Sequence, residues 1–219
     1  MKLFSESFPN QGVIPEAYAF AKIDDKTRVK LSENKNPQLA WSEVPDGAQS
    51  FVILCVDASS PSARDDANQT DREIPADLPR ADFAHWVLIN IPAHTREIAA
   101  GQFSSEVTPR GKAGPVIAGL KDTPMRHGIN DYTHWFAGDH DMEGDYYGYD
   151  GPCPPWNDSL VHQYTFTVYA LDTVDLPMPP DGKLNIAYVR RKMQEHVLAS
   201  ASWSGVYTLT PRLATALAI

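Results

Sequence analysis

Proline and glycine interrupt this chain from end to end, 18 of the one and 13 of the other in 219 residues. Proline fixes φ and lacks an amide donor, so helices and central strands cannot run through it undisturbed. What lies between these residues is short and β-like. Residues 50–56 (SFVILCV) form a continuous apolar run rich in β-branched side chains, stopped by Asp57-Ala58-Ser59-Ser60-Pro61. They predict a buried strand followed by a loop. Residues 83–91 (FAHWVLINI) predict a second strand, ended by Pro92. Residues 164–171 (YTFTVYAL) alternate large apolar residues with Thr, the period-2 pattern of a sheet with two unlike faces. Residues 201–209 predict a last strand with Trp203, Tyr207 and Leu209 on one face. A single helix is predicted over 186–198, where Ile186, Val189, Met193 and Val197 recur at three- and four-residue spacing. The expectation is a mainly β chain with a helix near the C-terminus. It forms one domain over 1–219, without repeats or low-complexity linkers.

Composition narrows the function. The net charge is −9, which disfavours a nucleic-acid backbone or an anionic membrane surface as the main partner. No apolar run approaches the roughly 20 residues of a membrane helix. The first residues turn polar too soon for a secretory leader, so a cytoplasmic protein is expected. Two cysteines, Cys55 and Cys153, are too few for a disulfide framework and are expected as free thiols.

Two segments, 58–82 and 103–151, carry little hydrophobic periodicity but many Gly, Pro, Asp and His residues. The second is read as a long inserted loop over 103–150. Such loops in a compact domain are usually functional. Both lead to the residues with the most chemistry. Asp57 closes one predicted strand, His85 lies inside another, and His162 immediately precedes a third. Gly151-Pro152-Cys153-Pro154-Pro155 is a stiff wall between loop and strand. Imidazoles beside a carboxylate suit a phosphate, a carboxylate or a metal.

These residues fall in a longer pattern. Asn36-Pro37-Gln38-Leu39-Ala40-Trp41-Ser42, His85-Trp86-Val87, the 151–155 loop, His162-Gln163-Tyr164 and Glu195-His196-Val197-Leu198-Ala199 occur in this order. With them the chain resembles the phosphatidylethanolamine-binding protein (PEBP) family nearly end to end, in particular its bacterial and archaeal Raf-kinase-inhibitor-like branch. The resemblance implies a PEBP-like β-sandwich of antiparallel Greek-key sheets, with a small anion pocket at one end. The pocket residues it implies are Asp57, His85, Gly151, Pro152, Cys153, Pro154, Pro155, His162 and Tyr164. Two departures stand out. The family's Asp-Pro-Asp-x-Pro loop is Asp57-Ala58-Ser59-Ser60-Pro61 here, and its His-Arg-Tyr is His162-Gln163-Tyr164. The second loses a positive charge that Arg80, five residues before His85, is placed to restore.

A second candidate is acidic. Asp139, Asp141, Glu143, Asp145 and Asp150 occupy positions 1, 3, 5, 7 and 12 of a twelve-residue segment with Gly144 at position 6. That resembles a calcium loop, though Asp replaces the last Glu and no helix is predicted on either flank. An acidic solvated loop covering the pocket is the leading expectation there.

The leading expectation for function is binding of a small anion, with no cofactor. A hydrolase using the His and Asp residues is the enzymatic alternative. No Gly-x-Ser-x-Gly elbow or evident activated nucleophile is present, and no catalytic residue is assigned. A protein-interaction module using the long loops is the third reading. A homodimer is expected only by analogy with the family.

Overall fold

The computed structural model describes residues 1–217. Its main sheet has six strands. Two long ones, β6 (Ser50–Pro61) and β7 (Arg80–Pro92), form an antiparallel pair at its centre. Next to β6 comes β10 (His162–Leu171), and next to β10 comes β11 (Val197–Tyr207), both antiparallel. The short β2 (Gly12–Val13) and β9 (Arg126–His127) close the edges, giving the order β2-β11-β10-β6-β7-β9. The β11–β2 pair is parallel, so the sheet is not purely antiparallel. A three-stranded sheet joins β1 (Lys2–Phe4), β5 (Leu39–Ser42) and β8 (Glu97–Ile98), and β3 (Ala21–Asp24) pairs with β4 (Arg28–Leu31).

The alternation of the strands decides the layers. Phe51, Ile53 and Cys55 of β6 and Phe166, Val168 and Ala170 of β10 point to one side. There they meet Leu3, Leu39, Trp41 and Ile98 of the small sheet. The opposite face carries Val52, Leu54, Val87 and Ile89. It is covered by Leu176, Leu184 and the helix α2 (Ile186–Met193), through Val189 and Met193. This is a sandwich with a helix on its outer face, as expected for a mainly β chain.

Helix α2 is shorter than the 186–198 expected. Asn185 caps it by accepting from the Tyr188 amide, and it ends at Met193. Val197 and Leu198 instead open β11, where both are exposed. A further helix, α3 (Pro211–Leu217), follows the last strand and was not anticipated. Segment 103–150 is not a loose insertion. It contains β9 and the single turn α1 (Tyr132–Trp135), and it contributes Ile117, Met125, Tyr132, Tyr146 and Tyr149 to the main core. Its aromatic residues supply the apolar area that its irregular backbone cannot pattern.

Candidate functional site: a cleft at one end of the main sheet

The cleft lies where β6 finishes, β7 begins and β10 starts. Asp57 does not end its strand. It pairs with Tyr164 of β10 and Phe83 of β7, and β6 runs on to Pro61 with a bulge before Ser60. His85 reaches the cleft through a second bulge. Cys55 pairs with Trp86 and Val56 with Ala84, so His85 has no partner on β6. Trp86 faces the main core. Strict alternation would therefore turn His85 to the opposite face, and the bulge brings it round to Asp57 and Tyr164.

His162 is fully engaged. Its Nδ1 lies 2.6 Å from Asp57 Oδ2 and its Nε2 lies 3.0 Å from Asp158 Oδ2, all three side chains being buried. Carboxylates accept, so both ring nitrogens donate and the ring is an imidazolium. Burial opposes that charge, but the hydrogen bonds to Asp158 and Asp57 outweigh it and lift the His162 pKa to about 9. For Asp158, too, burial works against the charged form. The hydrogen bonds from His162 and Arg80 prevail and hold its carboxyl below the ordinary value. Arg80 grips Asp158 with both terminal nitrogens, at 2.6 and 3.1 Å, and donates as well to the carbonyls of Ser59 and Pro75. Two carboxylates and two cations thus balance beneath the cleft.

His85 is different. Its Nδ1 donates to the Asp150 carbonyl at 2.7 Å, which leaves Nε2 without a proton in the neutral ring. Burial lowers its pKa. Tyr164 has a buried hydroxyl with no protein partner, in contrast to Tyr132, which donates to the Gly151 carbonyl. The Cys153 thiol is pushed up to about 12 by burial and stays protonated.

Asp57, His85, Cys153, Pro154, Pro155, His162 and Tyr164 all line the cleft. Phe83, Tyr132 and Trp135 complete its walls. Its free volume is about 20 Å³, room for roughly one water. Trp135 is clamped by Arg64, whose guanidinium donates to the carbonyls of His134 and Trp135 and lies 5.5 Å from the indole centroid.

Two placements differ from the expectation. Gly151 and Pro152 stand behind the cleft rather than in its lining. The Gly151 amide donates to Asn34 Oδ1, and the Pro152 carbonyl accepts from the Phe20 and Ala21 amides. A Cβ on Gly151 would come within 2.1 Å of the Tyr18 carbonyl oxygen, so only glycine fits. Arg80 does not line the cleft either, because Asp158 holds it from behind. The acids of the 139–150 segment do not converge. Asp139 caps its own turn, Asp141 meets His140, Glu143 is exposed and Asp145 meets Lys183. Asp150 is buried elsewhere, accepting from Asn34, Lys112 and Asn130 at 2.7–2.8 Å. Among the described residues no three His, Cys, Asp or Glu side chains converge as metal ligands.

Sequence reasoning missed Asp158. The one signal was its place four residues before His162, outside any helix, where that spacing carries no geometric meaning.

The arrangement defines a class: a β-sandwich protein with a small aromatic-walled cleft set on a charge-balanced floor. The chain belongs to the phosphatidylethanolamine-binding protein family, whose family model matches residues 4–208. A UPF0098 protein of Aquifex aeolicus is 31% identical over 207 residues, covering 94% of this chain and 88% of the relative. The UPF0098 protein YbhB of Escherichia coli is 28% identical over 208 residues, covering 95% and 100%. The crystal structure of E. coli YbcL, described as a new member of the mammalian PEBP family, matches with a TM-score of 0.63 at 24% identity. It covers 94% of this chain and 97% of YbcL. Among the described residues no helix is long and apolar enough to cross a membrane.

Proposed function

We propose that the cleft binds a small oxyanion, a phosphate, a phosphoryl headgroup or a carboxylate, with Tyr164 and His85 as its direct partners. The observation that carries this reading is the Tyr164 hydroxyl, buried in the cleft wall with no partner of its own. A buried donor left unpaired is unfavourable, and an anion oxygen would satisfy it. His85 Nε2 offers the second contact. It accepts from a protonated ligand oxygen, or takes up a proton and donates to a bare one. His162, with both nitrogens engaged, acts indirectly by cancelling the charges of Asp57 and Asp158 so that an anion is not repelled. The family's description as phosphatidylethanolamine-binding supports a phosphoryl group as occupant. The reading includes a cytoplasmic location, which the two free thiols fit.

Hydrolysis is less well supported. The Cys153 thiol is held protonated, and His162 has no free nitrogen to serve as a base.

The test is calorimetric titration with phosphate and phosphoryl-ethanolamine of the wild type, Tyr164→Phe and His85→Gln. Binding by the wild type, weakened in both variants, is expected. A folded wild type that binds neither probe at millimolar concentration overturns the reading.

A further inference from the structure

Resting on that reading of the cleft, we propose that it selects an oxyanion carrying its own proton, with His85 Nε2 as the acceptor that reads it. The class is hydrogen phosphate, or a phosphomonoester in its monoprotonated form, and not sulfate or a phosphodiester.

The tautomer decides this. A carbonyl only accepts, so the 2.7 Å contact between His85 Nδ1 and the Asp150 carbonyl places the ring proton on Nδ1. Nε2 is then a bare lone pair. His85 lines the cleft, and its Nε2, unlike the Nε1 of the neighbouring Trp86, is not sealed away. The surroundings keep the ring neutral. Phe83, Tyr132 and Tyr164 pack on it with ring centroids 4.9–5.5 Å away. Three acids, Asp57, Asp131 and Asp150, face it and favour its charged form. Each is engaged elsewhere: Asp57 accepts from His162, Asp131 from the Ala84 amide, and Asp150 from Lys112, Asn34 and Asn130. Burial prevails and lowers the His85 pKa.

The cleft thus sets an acceptor, His85 Nε2, beside a donor, the Tyr164 hydroxyl. An ion with only bare oxygens satisfies the donor but turns an oxygen lone pair against Nε2. An ion with one P–O–H group satisfies both. Sulfate and hydrogen phosphate are a matched pair for this distinction. At about pH 8 sulfate is a tetrahedral dianion and so, mainly, is phosphate, and they differ by that one proton. Sulfate binds only after His85 has taken up a proton from solvent, whereas hydrogen phosphate brings its own.

The test is calorimetric titration of the full chain at about pH 8 with inorganic phosphate, sulfate, methyl phosphate and dimethyl phosphate. The last three carry no proton on oxygen at that pH, since a phosphomonoester loses its own at about pH 6. The expected result is a phosphate affinity about tenfold or more above each of the others. Preference over methyl phosphate assigns the site to free phosphate near neutrality, and preference over dimethyl phosphate sets it against a diester headgroup. In His85→Gln the side-chain amide can donate as well as accept, so the preference for phosphate over sulfate should shrink to about twofold or less. If that variant does not fold, the wild type decides through its proton count, read in two buffers of different ionisation heat. Sulfate should draw about one proton per ion bound and phosphate close to none. Comparable affinity for all four probes, equal proton uptake with phosphate and sulfate, or an unchanged preference in folded His85→Gln would each overturn this inference while leaving the anion reading intact. A wild type that binds none of the four overturns both.

Discussion

His162 Nε2 lies 3.0 Å from Asp158 Oδ2, and this contact removes the last ring nitrogen that could have faced a ligand. With Asp57 on Nδ1, the imidazolium becomes part of the floor. Its charge is then a matter of stability as well as of binding. The folded-state pKa of about 9 is above the ordinary histidine value, so the proton-linked stabilisation is complete below about pH 6.5. It is lost as pH rises through about 9. Its size is on the order of 3 kcal/mol. Chemical denaturation from pH 6 to pH 10 should show this fall, and a His162→Gln variant should not.

Replacing Asp158 by Asn leaves Arg80 and His162 facing a neutral amide in a buried setting. Breaking a buried ion pair from one side costs about 3–5 kcal/mol. Urea denaturation of Asp158→Asn should therefore show a loss of that order, with the His162 proton released at lower pH by NMR titration.

Tyr164→Phe separates stability from binding. It removes a buried hydroxyl that has no partner, so the melting temperature should hold or rise. Anion affinity should nevertheless drop about fivefold or more. A variant that is both less stable and unchanged in affinity would assign the hydroxyl to packing alone.

Sulfate has no titrating proton near neutrality, so its binding isolates the contribution of His85. Burial lowers the pKa of free His85, and a bare oxyanion requires Nε2 to take up a proton. Sulfate affinity should strengthen as pH falls, by up to about tenfold per unit. Calorimetry in two buffers of different ionisation heat should report proton uptake, and His85→Gln should abolish it.

The clamp on Trp135 should govern access. A cleft with room for roughly one water must open to admit a tetrahedral anion. Arg64→Ala removes two hydrogen bonds and a cation–π contact from the one-turn helix that carries the indole. Stopped-flow tryptophan fluorescence should show faster anion association in the variant, by about threefold or more.

Much of this was legible in the residues. The alternation of 164–171 gave β10 and its two faces, and the apolar runs located β6 and β7. The stiff 151–155 loop, His85 and His162 were placed at one site by resemblance, and they meet there. What could not be read was local irregularity. A bulge is one unpaired residue, invisible to a period-2 pattern, yet it decides which face His85 serves. Val197 continued the helical spacing of α2, but pairing with Leu171 drew it into β11. Asp158 and Arg80 became a pair only through tertiary closure across 78 residues. Gly151 looked like pocket lining because spacing does not show on which side a backbone is pressed.

That pressed backbone has a consequence for how the protein comes to be functional. Gly151 is held by Asn34 across 117 residues, Tyr149 by Tyr18 across 131, and His162 by Asp57 across 105. Contacts so distant in sequence form only after large loops have closed, which is slow and comes late in folding. The β6–β7 pair brings Asp57, Phe83 and His85 together, but the His162 floor and the proline-rich wall have no precursor in any local hairpin. A fragment that begins after residue 36 retains every side chain of the cleft but loses the surface on which the proline-rich wall is seated. On the proposed reading, ligand affinity would be a readout of completed folding.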